Sequence, residues 1–147
     1  MSKKRILIVE DEALTVLALK HDLTELGYEI AGDASTAADA LRAAEDNRVD
    51  LVLMDIQLDG EISGIAAAAA IRGHPDIPVV FLTAHASAEM VLHAVESGAF
   101  GYLLKPYTLP ELKAAIDIAL HKHESENAMR RVLSSPMSTS VAQPRST

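Results

Sequence analysis

The chain contains no cysteine among its 147 residues. That excludes disulfides, thiolate nucleophiles and cysteine-based zinc sites, and it fits a reducing compartment such as the cytoplasm. Long apolar runs are missing as well. No window approaches the ~18 apolar residues that a membrane-spanning helix needs, so no membrane association is expected. The amino-terminal Met1-Ser2-Lys3-Lys4-Arg5 is basic, but only Ile6-Leu7-Ile8-Val9 separates it from Glu10-Asp11-Glu12. That stretch is too short for a secretory signal. The formal net charge is -8 and no basic stripe stands out, which argues against binding to nucleic-acid phosphates. No P-loop or G-x-G-x-x-G follows the first apolar run, so nucleotide and flavin binding have little support.

What is present is a core-forming chain. Apolar residues make up 49%, and a single domain of this length buries about two thirds of its unfolded surface. Short apolar runs alternate with helical patterns. Strands are predicted at about 5 to 9, 28 to 34, 50 to 54, 77 to 82 and 100 to 104. The first helix, about 12 to 26, carries Val16, Leu19, Leu23 and Leu26 on one face and stops at Gly27. Ser35 or Thr36 can cap a second helix with Ala37, Ala40, Leu41 and Ala44 inward. A loop over Gln57 to Ser63 precedes a third helix, about 64 to 72, and a fourth spans about 87 to 97. Thr108-Leu109-Pro110-Glu111 is a capping box with proline in the first turn, opening a fifth helix with Leu112, Ala115, Ile116, Ala119 and Leu120 inward.

The first, third and fourth strands are continuous apolar runs, which marks strands covered on both faces and hence a parallel sheet. Five β-α units give a doubly wound α/β domain, most simply with strand order 2-1-3-4-5. The domain is expected over 1–122. The apolar face of the fifth helix fades after His123, leaving a helical extension over 123–133 and a polar tail over 134–147 whose composition suits disorder.

Reactive groups collect where the apolar runs end, the rim at which open α/β sheets hold their ligands. Ile6 to Val9 runs into Glu10, Asp11 and Glu12. Leu51 to Met54 ends on Asp55, Val79 to Leu82 on Thr83, and Tyr102-Leu103-Leu104 on Lys105 and Pro106. Three acids, a hydroxyl and an ammonium on one edge suit a divalent cation and a phosphoryl group. Like charges at ~4 Å cost roughly 4 kcal/mol per pair at an effective dielectric near 20, and a bound cation relieves that cost.

Taken in order, Ile6-Leu-Ile-Val-Glu-Asp-Glu12, Leu53-Met-Asp-Ile-Gln-Leu58, Phe81-Leu-Thr-Ala84 and Gly101-Tyr-Leu-Leu-Lys-Pro-Tyr107 resemble the receiver domain of two-component response regulators, over residues 5 to about 122. The resemblance implies a flavodoxin-like fold and a phosphorylatable switch. Asp55 would be the phospho-acceptor, and Thr83 and Lys105 would complete the catalytic set. Mg²⁺ would bind Asp11, Asp55 and the Gln57 backbone carbonyl, with Glu10 acting through water. Many receivers carry Asp at the position of Glu10. Tyr102 matches the aromatic switch that moves with Thr83, and Gln57 and His85 occupy positions that tune dephosphorylation. Pro106 follows a peptide bond that is commonly cis in the family. The loop after Asp55 lacks the proline many receivers have there and is one residue longer.

The donor would be a histidine kinase or a histidine phosphotransfer protein. The chain would assist its own phosphorylation and dephosphorylation without being a turnover enzyme. About 25 residues after the domain leave no room for a DNA-binding module, so output is expected through a protein target or a missing output domain. The fourth helix, fifth strand and fifth helix form the family's usual partner or homodimer surface.

Plainer readings exist for each residue. Asp55 by itself could cap a strand end, Glu10 to Glu12 could be a solvated acidic helix start, and Tyr102 could be half-buried strand filling. His74, His85 and His93 read as surface residues. His121 and His123 point to different sides of a helix, so they make no metal pair. Two alternatives to the phosphorylatable receiver are a pseudo-receiver interaction module and an aspartyl-phosphate phosphatase of the haloacid dehalogenase type. The latter wants a second acid two residues after the nucleophile, where this chain has Gln57.

Overall fold

The computed structural model describes residues 3–46, 48–55, 77–83 and 100–134. Within them lie β1 (Arg5–Val9), α1 (Ala13–Glu25), β2 (Glu29–Ala34), α2 (Ala37–Asp46), β3 (Leu51–Asp55), β4 (Val79–Thr83), β5 (Gly101–Leu104) and α3 (Leu109–Ser134). α3 is the fifth helix of the sequence reading. The third and fourth expected helices, the loop over 57–63, and Gln57, His74, His85 and His93 lie outside the described residues, as does the tail from 135 onward.

The five strands form one sheet in the order β2-β1-β3-β4-β5, with every pair parallel. The continuous apolar runs have the expected cause. Leu7, Val9, Val52, Met54, Val79 and Phe81 face one way and pack with Ala40 and Ala44 of α2. Ile6, Ile8, Leu51, Leu53, Val80 and Leu82 face the other way, against Leu19 and Leu23 of α1 and Leu112, Ile116 and Ala119 of α3. Each such side chain taken fully from water contributes about 1.5–3 kcal/mol.

Two strand ends fall one residue later than expected. Asp55 is the last residue of β3, paired with Leu82, and Thr83 is the last of β4, paired with Leu104. The parallel ladder continues one step past the apolar run, so hydrophobicity alone underestimates its length. β2 begins at Glu29, one residue after its expected start. Tyr28 instead completes the end of α1: its N–H donates to the Leu23 carbonyl at 3.0 Å, and the Gly27 N–H donates to Thr24 at 3.1 Å. Gly27 takes φ +97, the left-handed conformation that this helix-ending pair of hydrogen bonds requires and that glycine adopts without strain.

The caps match the sequence reading. Thr36 is the residue that caps α2, its hydroxyl oxygen accepting from the Asp39 N–H at 3.1 Å. The capping box of α3 is reciprocal. The Thr108 N–H donates to Glu111 at 2.8 Å, and the Glu111 N–H donates to the Thr108 hydroxyl at 3.3 Å. Glu12 sits at the start of α1, and its carboxylate accepts from the Thr15 hydroxyl rather than from a backbone N–H.

Candidate functional site

The central strands deliver their last residues to one edge of the sheet. β1 pairs with β3 through Val9 and Met54, so Glu10 and Asp55 leave the ladder side by side. The Glu10 N–H reaches across to the Ala34 carbonyl at the end of β2, 2.9 Å away. On the other flank, the Lys105 N–H donates to the Thr83 carbonyl at 2.7 Å. That bond ties the residue after β5 to the end of β4. The Lys105–Pro106 peptide bond is cis.

Glu10, Asp11 and Asp55 form a cluster in which one carboxylate oxygen from each lies within 4.8 Å of the others. Glu10 is buried, Asp55 is partly buried and Asp11 is exposed. The Lys105 ammonium reaches in from the side, 3.1 Å from Glu10 Oε1 and 3.6 Å from Asp55 Oδ2. The second Glu10 oxygen accepts the Glu12 N–H at 3.2 Å. Glu10 is therefore held at both oxygens, by a side chain 95 positions away and by the turn that opens α1. Sequence spacing gives no hint of the Glu10–Lys105 pair, because the two residues lie 95 positions apart and meet only through the folded sheet.

Burial pushes the Glu10 carboxyl above its ordinary range, with the charge of Asp55 adding to the effect and the Lys105 hydrogen bond opposing it. For Lys105, burial favours the neutral amine, but the Glu10 hydrogen bond and the charge of Asp55 outweigh it and hold the ammonium above its ordinary value. Three carboxylates against one ammonium leave two formal negative charges at the rim. Oxygen donors of this kind and number, with partial solvent access, fit a hard divalent cation that keeps several waters.

Thr83 is buried at the end of β4, one step beyond the Leu82 that pairs with Asp55. Tyr102 lies on β5 opposite Phe81, with its side chain 46% exposed. It faces outward in this structure rather than filling the core. His121 is exposed, whereas His123 packs edge-on against Phe100 at 5.4 Å, so the two histidines do diverge. A second group of close potential ligands, His21, Asp22 and Glu25 on α1, escaped the sequence reading. Within it His21 lies 3.3 Å from Glu25, and Asp22 interacts with the Tyr107 hydroxyl outside the group. Among the described residues no helix is long and apolar enough to cross a membrane.

Comparison with known proteins agrees with this geometry. The family model described as the response regulator receiver domain matches residues 6–117. The chain is 38% identical over 126 residues to the transcriptional regulatory protein PdtaR of Mycobacterium tuberculosis, covering 86% of this chain and 61% of that protein. It is 38% identical over 116 residues to YvrH of Bacillus subtilis, another transcriptional regulatory protein, covering 79% of this chain and 48% of that one. It thus spans about half to three fifths of these relatives' lengths. Among solved structures, the signal receiver domain of a modulated diguanylate cyclase from Desulfovibrio desulfuricans superposes with a TM-score of 0.79 at 34% identity, over 85% of this chain and 99% of that one. With the sheet order, the acidic rim and its lysine in place, the chain belongs to the receiver domains of two-component response regulators.

Proposed function

We propose that this receiver is phosphorylated on Asp55 by a phosphohistidine partner, with Mg²⁺, and that the new charge switches a protein-binding surface. The observation that carries the proposal is the convergence of Glu10, Asp11 and Asp55 within 4.8 Å of one another beside the Lys105 ammonium. In the transfer, an Asp55 oxygen bonds to phosphorus as the phosphorus–nitrogen bond to the donor imidazole breaks. The bonding pair returns to the imidazole, which takes a proton from solvent. Such transfers depend mainly on positioning and charge neutralisation. An ammonium 3.6 Å from Asp55 Oδ2 can neutralise one incoming phosphoryl oxygen. The Thr83 hydroxyl would donate to another. Asp11 and Asp55 would hold the metal directly, with Glu10 acting through water; the Gln57 carbonyl, a further ligand by resemblance, lies outside the described residues. When bound, magnesium supplies positive charge at the phosphoryl oxygens. Because Asp55 itself carries the phosphoryl group, each event modifies the chain once, and hydrolysis returns it to its starting state without net turnover of a substrate.

The switch would run through Thr83 and Tyr102. A charge added at Asp55 draws the Thr83 hydroxyl towards it, and the exposed ring of Tyr102 can then turn inward, shifting the population between two packings. Exposed Tyr102, Leu104 and Ile118 on β5 and α3 support that face as the output surface. Output through a further domain and output through a separate target are both compatible with relatives longer than this chain.

The test is intact-mass analysis after incubation with a small-molecule phosphodonor and Mg²⁺. One phosphoryl group should be gained, stable in acid, labile in base, and lost in Asp55→Asn. Catalytic turnover of a phosphate ester would instead identify a phosphatase. No modification and no turnover would identify an interaction module that never carries phosphate.

A further inference from the structure

The backbone that carries Lys105 has few ways to be held in place. The Lys105 N–H donates to the Thr83 carbonyl at 2.7 Å. The next residue is Pro106, which has no N–H to give. Thr108 is fixed as the start of α3 by its reciprocal bonds with Glu111. Between these two anchors stands Tyr107, a residue the phosphoryl chemistry leaves without a task.

Tyr107 is half-buried, and it packs against the core cluster that Leu19 and Leu23 of α1 share with Leu103 and Leu112. Its hydroxyl hydrogen-bonds to the Asp22 carboxylate of α1, and burial together with Asp22 pushes the phenol up to about 12. The phenol therefore stays a donor through the neutral range. Donation to a carboxylate is the stronger, charge-assisted kind of hydrogen bond. Asp22 belongs to the helix that follows the acidic turn, and the Glu12 N–H at the start of that helix donates to Glu10. One rigid element thus contacts the acids at its first turn and the loop after Lys105 near its last.

The lysine needs such a reference. Its ammonium lies 3.1 Å from Glu10 Oε1 and 3.6 Å from Asp55 Oδ2, at the end of a flexible four-carbon stem. A misplacement of about 1 Å in a reacting constellation can cost about a hundredfold in rate. The geometry points to Tyr107 as a positioning residue for Lys105: by tying the loop behind the lysine to Asp22, the hydroxyl sets where the ammonium stands between Glu10 and Asp55. Its effect on rate rests on the phosphorylation of Asp55 proposed above, whereas its effect on the lysine is observable without phosphate.

The other phenol bonded to a carboxylate supplies the control. Tyr28 donates to Asp117 at 2.5 Å, and Lys113 pairs with the same carboxylate at 2.8 Å. That contact also joins the end of α1 to α3, but it lies beyond the Thr108 cap and does not hold the Lys105 loop. A merely structural bond between these elements should behave like this one.

The first measurement is the side-chain NMR signal of Lys105 in the full chain with chelator, identified by its loss in Lys105→Arg. Tyr107→Phe keeps the ring and removes the hydroxyl. It should move the signal towards that of exposed lysines and weaken the Overhauser contact with Glu10. Asp22→Ala should do the same, while Asp22→Asn, whose amide oxygen still accepts, should stay close to the parent. Tyr28→Phe should leave the signal unmoved. The second measurement is the rate of phosphorylation by a small-molecule phosphodonor at saturating magnesium. Tyr107→Phe should slow it about three- to tenfold and should slow a Lys105→Met chain no further, because the hydroxyl acts through the lysine. A Lys105 signal unchanged by Tyr107→Phe overturns the proposal, as does an equal displacement by Tyr28→Phe. Equal slowing with and without Lys105 also overturns it. A parent chain that takes up no phosphate while Tyr107→Phe still displaces the lysine supports the positioning role and overturns the phosphorylation reading alone.

Discussion

Asp55→Asn should stabilise the metal-free protein, although it deletes the residue on which the proposed chemistry depends. Asp55 lies within 4.8 Å of Glu10 and Asp11, and at an effective dielectric near 20 each such pair repels by at least roughly 3.5 kcal/mol. Lys105, 3.6 Å away, returns roughly 4.6 kcal/mol of attraction on the same scale. Among the described groups, removing the Asp55 charge therefore relieves somewhat more than it forfeits. The rim is open to solvent on one side, so screening reduces the difference to about 1 kcal/mol. The amide that replaces the carboxylate still offers Lys105 an acceptor. In chelator, the midpoint of thermal unfolding should rise by about 3–6 °C for a domain of this size. Magnesium should reverse the order. A ligand present at a hundred times its dissociation constant stabilises by about 2.7 kcal/mol, and the variant, with one ligand carboxylate fewer, should gain much less of this. The assay is paired urea or thermal unfolding with chelator and with millimolar magnesium. A variant less stable than the parent in chelator would show that the carboxylates are not in net repulsion. Equal stabilisation of both proteins by magnesium would place the cation elsewhere.

Asp11→Asn should lower magnesium affinity by at least tenfold while leaving the metal-free fold intact, as read by titration calorimetry and circular dichroism. Tyr28→Phe removes the hydrogen bond that the buried Tyr28 hydroxyl donates to Asp117 at 2.5 Å and should cost about 1 kcal/mol in urea unfolding. The same variant bears on alkaline stability. Burial, with Asp117 adding to the effect, raises the Tyr28 phenol well above its ordinary value, and burial and Asp22 push Tyr107 up to about 12. Both phenols stay protonated in the folded chain after they begin to ionise in the unfolded one. Their contribution is complete below about pH 10 and declines as pH rises towards the folded values. Tyr28→Phe should make that decline shallower, and an unchanged slope would remove Tyr28 from the account. Thr108→Ala breaks the capping box of α3 and should cost about 1 kcal/mol, while Ser125→Ala, exposed on the same helix, should be nearly neutral.

Much of the architecture was legible because its signals are local. The continuous apolar runs 6–9, 51–54 and 79–82 could only be strands covered on both faces, and each is buried along its length. Gly27 and the Thr108–Glu111 box marked helix ends because their roles depend on residues within one turn. Where local signals end, the reading slipped. Asp55 and Thr83 are strand residues because parallel neighbours hold their backbones, which their own polarity does not announce.

For the candidate site, sequence order alone determined which groups reach the rim, since a parallel sheet brings every strand's last residue to the same edge. How those groups share charge was decided only by tertiary packing. Lys105 approaches Glu10 more closely than Asp55, 3.1 against 3.6 Å, because Glu10 is the buried anion and its loss of water must be offset by the nearest cation. The ion-pair distances follow from strand register and side-chain burial, quantities that exist only once distant segments have packed together.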